Sequence, residues 1–336
     1  MKNNLIVINY VMDPSHPALA HQFDTVVKLS RNFEKITVLT TKYNGDLVPE
    51  NVSILVVKWK QGHNFKNFIA LNRKFLQIRN LTNYIHVFFH MTPNHSLALL
   101  LTLKMLRKKI ILWYAHAYRP AGLAFLVKHV DSIVTSTSGS FPISSNKVNY
   151  IGQGIDLEIF NLNPNKFRFN QSKRNFVYAG RMDKSKGVQE IIDLLKGIRQ
   201  NYDIELTLIG NNSEHFKLSE GLNWIHAMPS VPRKDLPNEL IKHDVFIHNF
   251  IGSLDKVLIE NAMLRMPIIT SNLEFANSFE LFSKNSSKNL LDQIVGYLES
   301  DFSTINAVLE KNYQNALQNH NLSAWINKLT AVINQA

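Results

Sequence analysis

The stretch "NFVYAGRMDKSKGV", residues 175–188, joins an apolar segment, a cation-bearing loop and the start of an amphipathic pattern. Its apolar first half is typical of a strand, and Gly180 allows the chain to turn sharply where that strand ends. One apolar stripe then recurs at steps of three and four: Val188, Ile191, Ile192, Leu195 and Ile198. This spacing predicts a helix that begins close to Lys186 and Gly187 and packs against a sheet.

The loop itself has the composition of an anion site. Arg181 and Lys186 stand next to the unpaired backbone N–H groups of the first helical turn, which carry partial positive charge. Two full cations at a helix start favour a phosphate-like group. The structural alternative is an ordinary strand-to-helix loop with two solvated cations, and this stretch alone does not separate the two.

Strand and helix patterns alternate along the whole chain. Short apolar segments predict strands near 4–10, 35–40, 52–57, 84–90, 109–115 and 131–135, and again near 175–180, 204–209, 222–226, 244–249 and 266–270. Alternation of this kind is typical of α/β proteins with parallel sheets covered on both faces. We therefore expect two Rossmann-like sheets, with ligands outside the carboxyl ends of the strands.

A second loop strengthens the anion hypothesis. In "DVFIHNFIGSLDKVLIENAMLRMPIIT" a predicted strand leads through a Gly-Ser turn into a short helix that either Ser253 or Asp255 is placed to cap. The backbone from Gly252 through Leu254 to Lys256 offers N–H groups to phosphate oxygens, and Glu260 lies one turn into the helix. Phosphate contacts together with a carboxylate for vicinal hydroxyls indicate a nucleotide. The alternative is a plain strand–helix junction with a surface glutamate.

Both loops together resemble a known family. "GRMDKSKG", followed by "GSLDKVLIENAMLRMPIIT", is similar to the carboxy-terminal half of retaining glycosyltransferases of the GT-B fold, of the glycosyltransferase family 4 type. "YIGQGIDLEIF" at 150–160 looks like the segment before the second domain of that family. "KKIILWYAHA" at 108–117 looks like the strand that carries its active-site histidine.

The resemblance implies two domains facing across a cleft and a role for each matching residue. Arg181 and Lys186 would hold the diphosphate of a nucleoside diphosphate sugar, Glu260 its ribose, and His116 would face the donor sugar. The nucleotide would be UDP or GDP, with a UDP-sugar as the favoured donor. The resemblance requires no cofactor and no metal, because cations of the protein stabilise the leaving diphosphate.

This chain departs from the family at two positions. The family commonly has a further glutamate eight residues before the ribose-binding one, and here that position is Gly252. A glycine-rich first loop is replaced by "MDPSHPALAHQ" at 12–22, where Asp13, His16 and His21 are acceptor-site candidates. A structural turn explains those three residues equally well.

Polar composition suggests the domain boundaries. We expect an N-terminal acceptor-binding domain at 1–160, a linker at 161–174 and a nucleotide-sugar domain at 175–315. A final helix at 316–336 is expected to pack back on the first domain.

The chain carries a net charge of +11, and nearly all of this excess lies in its first half. Residues 1–160 contain 18 Lys+Arg and 8 Asp+Glu, whereas residues 161–336 contain 19 and 18. The segment "FKNFIALNRKFLQIRNL" at 65–81 mixes aromatics with cations, as interfacial helices do, and "KMLRKK" at 104–109 is a second basic cluster. Core packing of those aromatics, a solvated basic surface, an anionic membrane surface and nucleic acid are the alternatives, although no nucleic-acid recognition motif is present.

Composition and spacing exclude several site classes. The chain has no cysteine, so a disulfide or a thiolate metal site cannot form in it. His86 and His90 of "HVFFH" share one face of a predicted strand but lie roughly 13 Å apart, too far for one metal ion. We read the first apolar segment as a buried strand rather than a secretion signal.

The sequence thus predicts a cytoplasmic enzyme, peripheral to the membrane if the basic half binds lipid. It would transfer a sugar from a nucleotide sugar to a glycan or lipid-linked acceptor in polysaccharide or glycoconjugate synthesis. A nucleotide-sugar epimerase on the same fold and a basic nucleic-acid-binding protein are the rival functions.

Overall fold

The structure is a computed structural model that describes residues 3–16, 19–45, 48–60, 62–160, 174–210, 214–283 and 289–336. The chain divides into two compact units. Unit 1 contains Met1–Gly152 and Leu322–Ala336, and unit 2 contains Gln153–Asn321.

Unit 1 is built around a fully parallel sheet of seven strands. Its strands, with a separate two-stranded pair (β2 and β4), are β1 (Asn4–Ile8), β2 (Val11–Met12), β3 (Lys35–Thr40), β4 (Lys42–Tyr43), β5 (Val52–Val56), β6 (Tyr84–His90), β7 (Lys109–Trp113), β8 (Ser132–Thr135) and β9 (Val148–Tyr150). The helices are α1 (Ala20–Leu29), α2 (Asn64–Leu76), α3 (Pro93–Met105), α4 (Leu123–His129) and, from the carboxyl end of the chain, α12 (Leu322–Gln335). The strand order in the large sheet is β5-β3-β1-β6-β7-β8-β9.

Helices cover both faces of this sheet, because successive strand residues point to opposite sides and nearly all are apolar. Alternate residues such as Ile6 and Phe89 pack with α2, α3 and α4 on one face. Their neighbours, such as Val7 and Phe88, pack with α1 and α12 on the other. From α12 the side chains of Leu322, Trp325, Ile326, Leu329 and Ile333 are buried there.

Unit 2 repeats the same plan with five parallel strands. They are β10 (Arg174–Ala179), β11 (Ile204–Gly210), β12 (Ile225–Pro229), β13 (Val245–His248) and β14 (Ile268–Thr270), in the order β12-β11-β10-β13-β14. The helices are α5 (Val188–Ile198), α6 (Glu214–Ser219), α7 (Leu236–Leu240), α8 (Lys256–Met263), α9 (Leu273–Ala276), α10 (Leu290–Glu299) and α11 (Phe302–His320). The apolar stripe of α5 is buried, as predicted, and the helix begins directly after Gly187.

The division into units differs from the predicted boundaries at two places. Residues 153–160 belong to unit 2 rather than to the first domain, because Ile155 and Phe160 are buried in the core of unit 2. The last helix begins at Leu322, not at 316, since α11 continues to His320. Of the predicted linker 161–174, residues 161–173 lie outside the described residues, and Arg174 is the first residue of β10.

Two further differences concern strands. The predicted strand at 222–226 lies at Ile225–Pro229, and β9 has no counterpart among the predicted strands. β9 is only three residues long, and none of them is buried, so it has little apolar pattern. Among the helices that the structure describes, none combines the length and the apolar character needed to cross a bilayer.

Candidate functional site

The two cation-bearing loops meet at the centre of unit 2. Strand order reverses direction between β10 and β13, which are hydrogen-bonded neighbours. The loop 180–187 follows β10 and the loop 249–255 follows β13, so both leave the sheet at the carboxyl ends of adjacent strands. This is the switch point at which parallel α/β sheets bind ligands.

Glycine is required at position 187 of the first loop. Gly187 has φ +60°, and a Cβ there would lie 2.3 Å from Asn249 Nδ2 and 2.9 Å from the backbone oxygen of Asn249. The two loops therefore touch at this point, and a larger residue would push them apart. Just before it, Asp183 accepts a hydrogen bond of 3.1 Å from the Ser185 backbone N–H and starts a short 3-10 turn.

Arg181 is the exposed cation of the site. Its side chain is 67% exposed, and Nη1 lies 3.2 Å from Asp183 Oδ2. The buried Tyr178 donates a hydrogen bond of 2.7 Å to the Arg181 backbone oxygen. Burial, and then the charges of Asp255 and Asp183, raise the pKa of Tyr178. Asp183 belongs to the first loop and Asp255 to the second, so both loops place charge near the Tyr178 hydroxyl group.

Lys186 is the buried cation. Only 10% of its side chain is exposed, and Nζ donates to Asp255 Oδ2 at 2.5 Å. The same carboxylate oxygen lies 3.4 Å from His248 Nε2, while His248 Nδ1 lies 3.0 Å from Thr270 Oγ1. These contacts hold the Lys186 ammonium group, which belongs to the loop after β10, next to the start of α8.

The charge of Asp255 depends on these partners. Burial raises the pKa of its carboxyl, but the hydrogen bond and charge of His248 and the charge of Lys186 outweigh burial and hold the pKa well below its usual range. Asp255 also occupies the N-cap position of α8 without making a capping hydrogen bond. The expectation that it caps this helix is therefore wrong, because its carboxylate is committed to Lys186.

Phe250 fills the space beside Gly252. A Cβ at Gly252 would lie 2.2 Å from Cζ of the Phe250 ring. The centroid of that ring is 3.8 Å from Lys186 Nζ, a cation–π contact. At the position where the resembled family has a glutamate, an aromatic ring thus stands against the ammonium group. No pattern along the chain indicates this contact, because it depends on how the loop folds back.

A buried amide holds the loop 250–253 in shape. Asn272 Nδ2 donates to the backbone oxygens of Phe250 at 2.9 Å and Ser253 at 3.1 Å. Leu254 is buried and its backbone oxygen accepts from Gln153 Nε2 at 2.5 Å. These bonds orient the N–H groups between Gly252 and Lys256 at the start of α8.

Glu260 is buried on α8 and paired with a residue that sequence reasoning missed. Arg233 Nη2 lies 2.9 Å from Glu260 Oε1, with 15% and 7% of the two side chains exposed. Arg233 also lies over the ring of Phe160 at 5.3 Å. Arg233 follows β12 in a loop without a motif, so no local pattern points to it. A carboxylate accepts several hydrogen bonds, so this pairing leaves Glu260 capacity for hydroxyl groups.

In unit 1, His116 lies exposed just beyond the carboxyl end of β7. Its Nδ1 accepts a hydrogen bond of 2.9 Å from the Tyr118 backbone N–H. A backbone N–H can only donate, so the neutral ring carries its proton on Nε2. His116 is therefore oriented as a hydrogen-bond donor.

The three acceptor candidates have mainly structural contacts. Asp13 Oδ1 accepts from the Ser15 N–H at 2.9 Å, and His16 Nδ1 accepts from the Leu19 N–H at 3.1 Å. His21 stacks edge-on against His90 with 5.6 Å between ring centroids. These contacts match the structural-turn alternative for Asp13 and His16.

A different polar cluster lies at the switch point of unit 1, between β1 and β6. His95 is fully buried between Trp59 and Tyr10, with ring centroids 3.8 Å and 5.0 Å away. Both ring nitrogens of His95, together with Asn9 Oδ1 and Ser96 Oγ, lack a hydrogen-bond partner among the residues that the structure describes. Burial lowers the pKa of His95 to about 4, so the ring is neutral at pH 7. Such orphaned polar atoms are typical of sites that water or a ligand completes.

No group of three or more metal-binding side chains is found in the part of the chain that the structure describes. The site of unit 2 instead offers cations, helix N–H groups and one buried carboxylate. That set is chemically suited to a phosphate-bearing molecule with hydroxyl groups.

Comparisons with known proteins agree with this geometry. Residues 160–319 match the family model described as glycosyl transferases group 1. No curated protein matches the sequence significantly.

Solved structures with little sequence identity share the fold over nearly the whole chain. Sucrose-phosphate synthase from Thermosynechococcus elongatus has a TM-score of 0.78 at 10% identity, with 99% of each chain covered. HepE from Anabaena, solved with UDP and glucose, has 0.69 at 10% identity and 99% of each chain. WaaG, a glycosyltransferase involved in lipopolysaccharide biosynthesis, has 0.66 at 14% identity, with 99% of this chain and 100% of the other covered. The chain therefore has the GT-B fold, and residues 160–319 of its second unit match the domain of the group 1 glycosyl transferases.

Proposed function

We propose that this protein transfers a sugar from a nucleoside diphosphate sugar, with UDP favoured over GDP as the nucleotide, to a glycan or lipid-linked acceptor with retention of configuration. The observation that carries this proposal is the pair of loops at the β10–β13 switch point, which bring Lys186, Arg181 and the start of α8 together. The structure of HepE with UDP and glucose supports the donor class.

Lys186 is suited to the leaving diphosphate. Negative charge develops on that group as the bond to the sugar breaks, and cations fixed in advance stabilise the charge without reorganising. Lys186 donates one of its three ammonium N–H groups to Asp255, which leaves two donors for phosphate oxygens. Arg181, exposed on the same loop, supplies a second cation that is free to move onto the ligand.

Glu260 is suited to the ribose. Its carboxylate is buried and held by Arg233, so it accepts hydrogen bonds from vicinal hydroxyls in a site with little water. We assign to His116 a hydrogen bond from Nε2 to the transferred sugar, in line with its orientation by Tyr118.

For the acceptor we favour the cluster of Asn9, His95 and Ser96 over Asp13 and His16. Its orphaned polar atoms suit hydroxyl groups, and Trp59 offers a ring on which a sugar can stack. We propose a cytoplasmic setting, which a cysteine-free chain suits.

Anomer-resolved NMR of a reaction with UDP-sugars and a panel of glycan and lipid-linked acceptors tests the function. A new glycosidic bond with the donor's anomeric configuration is the expected result. An inverted product contradicts retention, and conversion of the donor sugar without any acceptor identifies an epimerase instead.

A further inference from the structure

One face of unit 1 combines exposed apolar side chains with an unbroken excess of positive charge. Between Glu50 and Asp131 the sequence has no acidic residue, yet this stretch contains 12 Lys and Arg. It builds α2, α3 and α4, which together cover a single face of the seven-stranded sheet. These three helices carry five cations and no acidic residue: Lys66, Arg73, Lys74, Lys104 and Lys128.

The exposed side of α2 is apolar. Phe65, Ile69 and Leu76 lie at helical spacing and are 75%, 49% and 57% exposed. The residues that α2 buries, Leu71 and Phe75, lie on a different face. The predicted alternative, that all aromatics of this segment pack in the core, is thus wrong for Phe65 and for Phe68, which is 42% exposed.

The exposed apolar side of α3 adjoins that of α2. Asn72, which shares the apolar stripe of α2, donates to the Ala98 backbone oxygen at 3.0 Å and accepts from Thr102 Oγ1 at 2.5 Å. Leu101 and Met105, on the same side of α3 as Ala98 and Thr102, are 68% and 75% exposed. The two helices thus form one surface, which we call the α2–α3 patch: Phe65, Phe68, Ile69, Leu76, Leu101 and Met105.

Cations border this patch. Lys66 and Arg73 are exposed on α2 beside its apolar stripe, and Arg107 is exposed just after α3. Exposed apolar side chains ringed by cations are the features by which amphipathic helices bind the interface of an anionic bilayer.

We propose that the α2–α3 patch docks unit 1 on a membrane surface that contains anionic lipid. Phe65, Met105 and their neighbours enter the interface, and the bordering cations contact lipid phosphates. A second copy of the chain is disfavoured, because two such faces would bring like charges together. Nucleic acid is disfavoured because the centre of the patch is aliphatic and phenyl rather than polar.

Vesicle flotation without any nucleotide sugar tests this, so the result does not depend on the donor site. The vesicles are phosphatidylcholine alone and phosphatidylcholine with phosphatidylglycerol. We expect binding to the anionic vesicles, weakened by salt, and little binding to the neutral ones.

One double variant removes bordering cations, and a second double variant removes exposed apolar side chains of the α2–α3 patch. Lys66→Glu with Arg73→Glu should weaken binding by about 25-fold or more, since each lost cation contributes roughly fivefold and the new carboxylates add repulsion. Phe65→Ser with Met105→Ser should weaken binding at high salt more than the charge variant does. All variants must retain the wild-type circular dichroism and melting temperature.

Two control variants carry single changes of the same kind outside the α2–α3 patch. Lys328→Glu lies on α12, on the opposite face of the sheet, and Phe302→Ser, at 53% exposure, lies in unit 2. Both should bind as the wild type does. The proposal is overturned if the wild type does not float with anionic vesicles, if the controls lose as much binding as the patch variants, or if RNA competes the protein off vesicles through the same residues.

Discussion

Lys186 and Asp255, 69 positions apart in sequence, form a contact of 2.5 Å between Nζ and Oδ2 at the junction of the two loops. The pair joins the end of β10 to the start of α8, and His248 lies against the same carboxylate oxygen. A buried ammonium group held in this way is ready for an anion before any ligand arrives.

Removing the charge of Asp255 should affect stability and binding in opposite directions. Asp255→Asn leaves the buried Lys186 unpaired, which we expect to lower the free energy of unfolding by about 2 kcal/mol, less than for a fully buried pair because Asp255 is partly exposed. UDP should bind several-fold more tightly, since the ammonium no longer has a competing carboxylate. Urea unfolding and calorimetry measure the two effects. Asp193→Asn, on the exposed side of α5, should change neither.

Phe250 and Gly252 should be energetically coupled. Gly252→Ala places a Cβ against the Phe250 ring and should cost about 1 kcal/mol or more in wild type but much less in a Phe250→Ala background. Urea unfolding of the four proteins gives the coupling energy. Gly197→Ala is the control, because no atom of the described residues lies within 4 Å of the added Cβ, and this helical change should stabilise. Additive effects of the first two changes would show that the ring does not occupy that space.

Glu260 should distinguish nucleotides from pyrophosphate. Glu260→Gln is expected to weaken UDP binding by about tenfold through a lost charge-assisted hydrogen bond, while pyrophosphate binding stays unchanged. Competition calorimetry with both ligands measures this. Glu310→Gln, which removes an exposed partner of Arg265, should leave both affinities as they are. Equal loss for both ligands would assign Glu260 to the diphosphate or to folding.

His95 should make stability depend on pH. Its pKa is about 4 in the folded protein, against about 6.5 unfolded, so the unfolded chain binds more protons between these values. Stability is therefore lost as pH falls below about 6.5, by roughly 2 kcal/mol at pH 5 from this residue. Urea unfolding at pH 7 and pH 5 should show a smaller loss for His95→Phe than for wild type. Identical losses would contradict the burial of a neutral ring.

Patterns along the chain predicted six of the seven strands in the large sheet of unit 1, the strands of unit 2 with β12 displaced by three residues, and the start of α5, because apolar periodicity and glycine are local signals. They also brought residues 180–187 and 252–260 into one expected site. The contact of Phe250 with Lys186, the pairing of Arg233 with Glu260 and the support from Asn272 were not predictable. Each depends on which loops meet after the sheet has formed, and Phe250, Arg233 and Asn272 lie outside the two stretches that resemble the family.

The predicted capping role of Asp255 was wrong for the same reason. Sequence spacing showed a suitable residue at the helix start, but a buried lysine from the other loop takes its carboxylate. In unit 1, hydrophobic spacing could not distinguish which apolar residues of α2 face the core, because the helix has apolar residues on two faces.

The most direct test of the diphosphate assignment is steady-state sugar transfer by Lys186→Ala and Arg181→Ala, with Lys184→Ala as the exposed control on the same loop. If the two cations stabilise the leaving diphosphate, each of the first two variants loses about 2 to 4 kcal/mol of transition-state stabilisation, roughly 30- to 1,000-fold in kcat/KM, while the control stays near wild type. Wild-type turnover by folded Lys186→Ala and Arg181→Ala enzymes would contradict it.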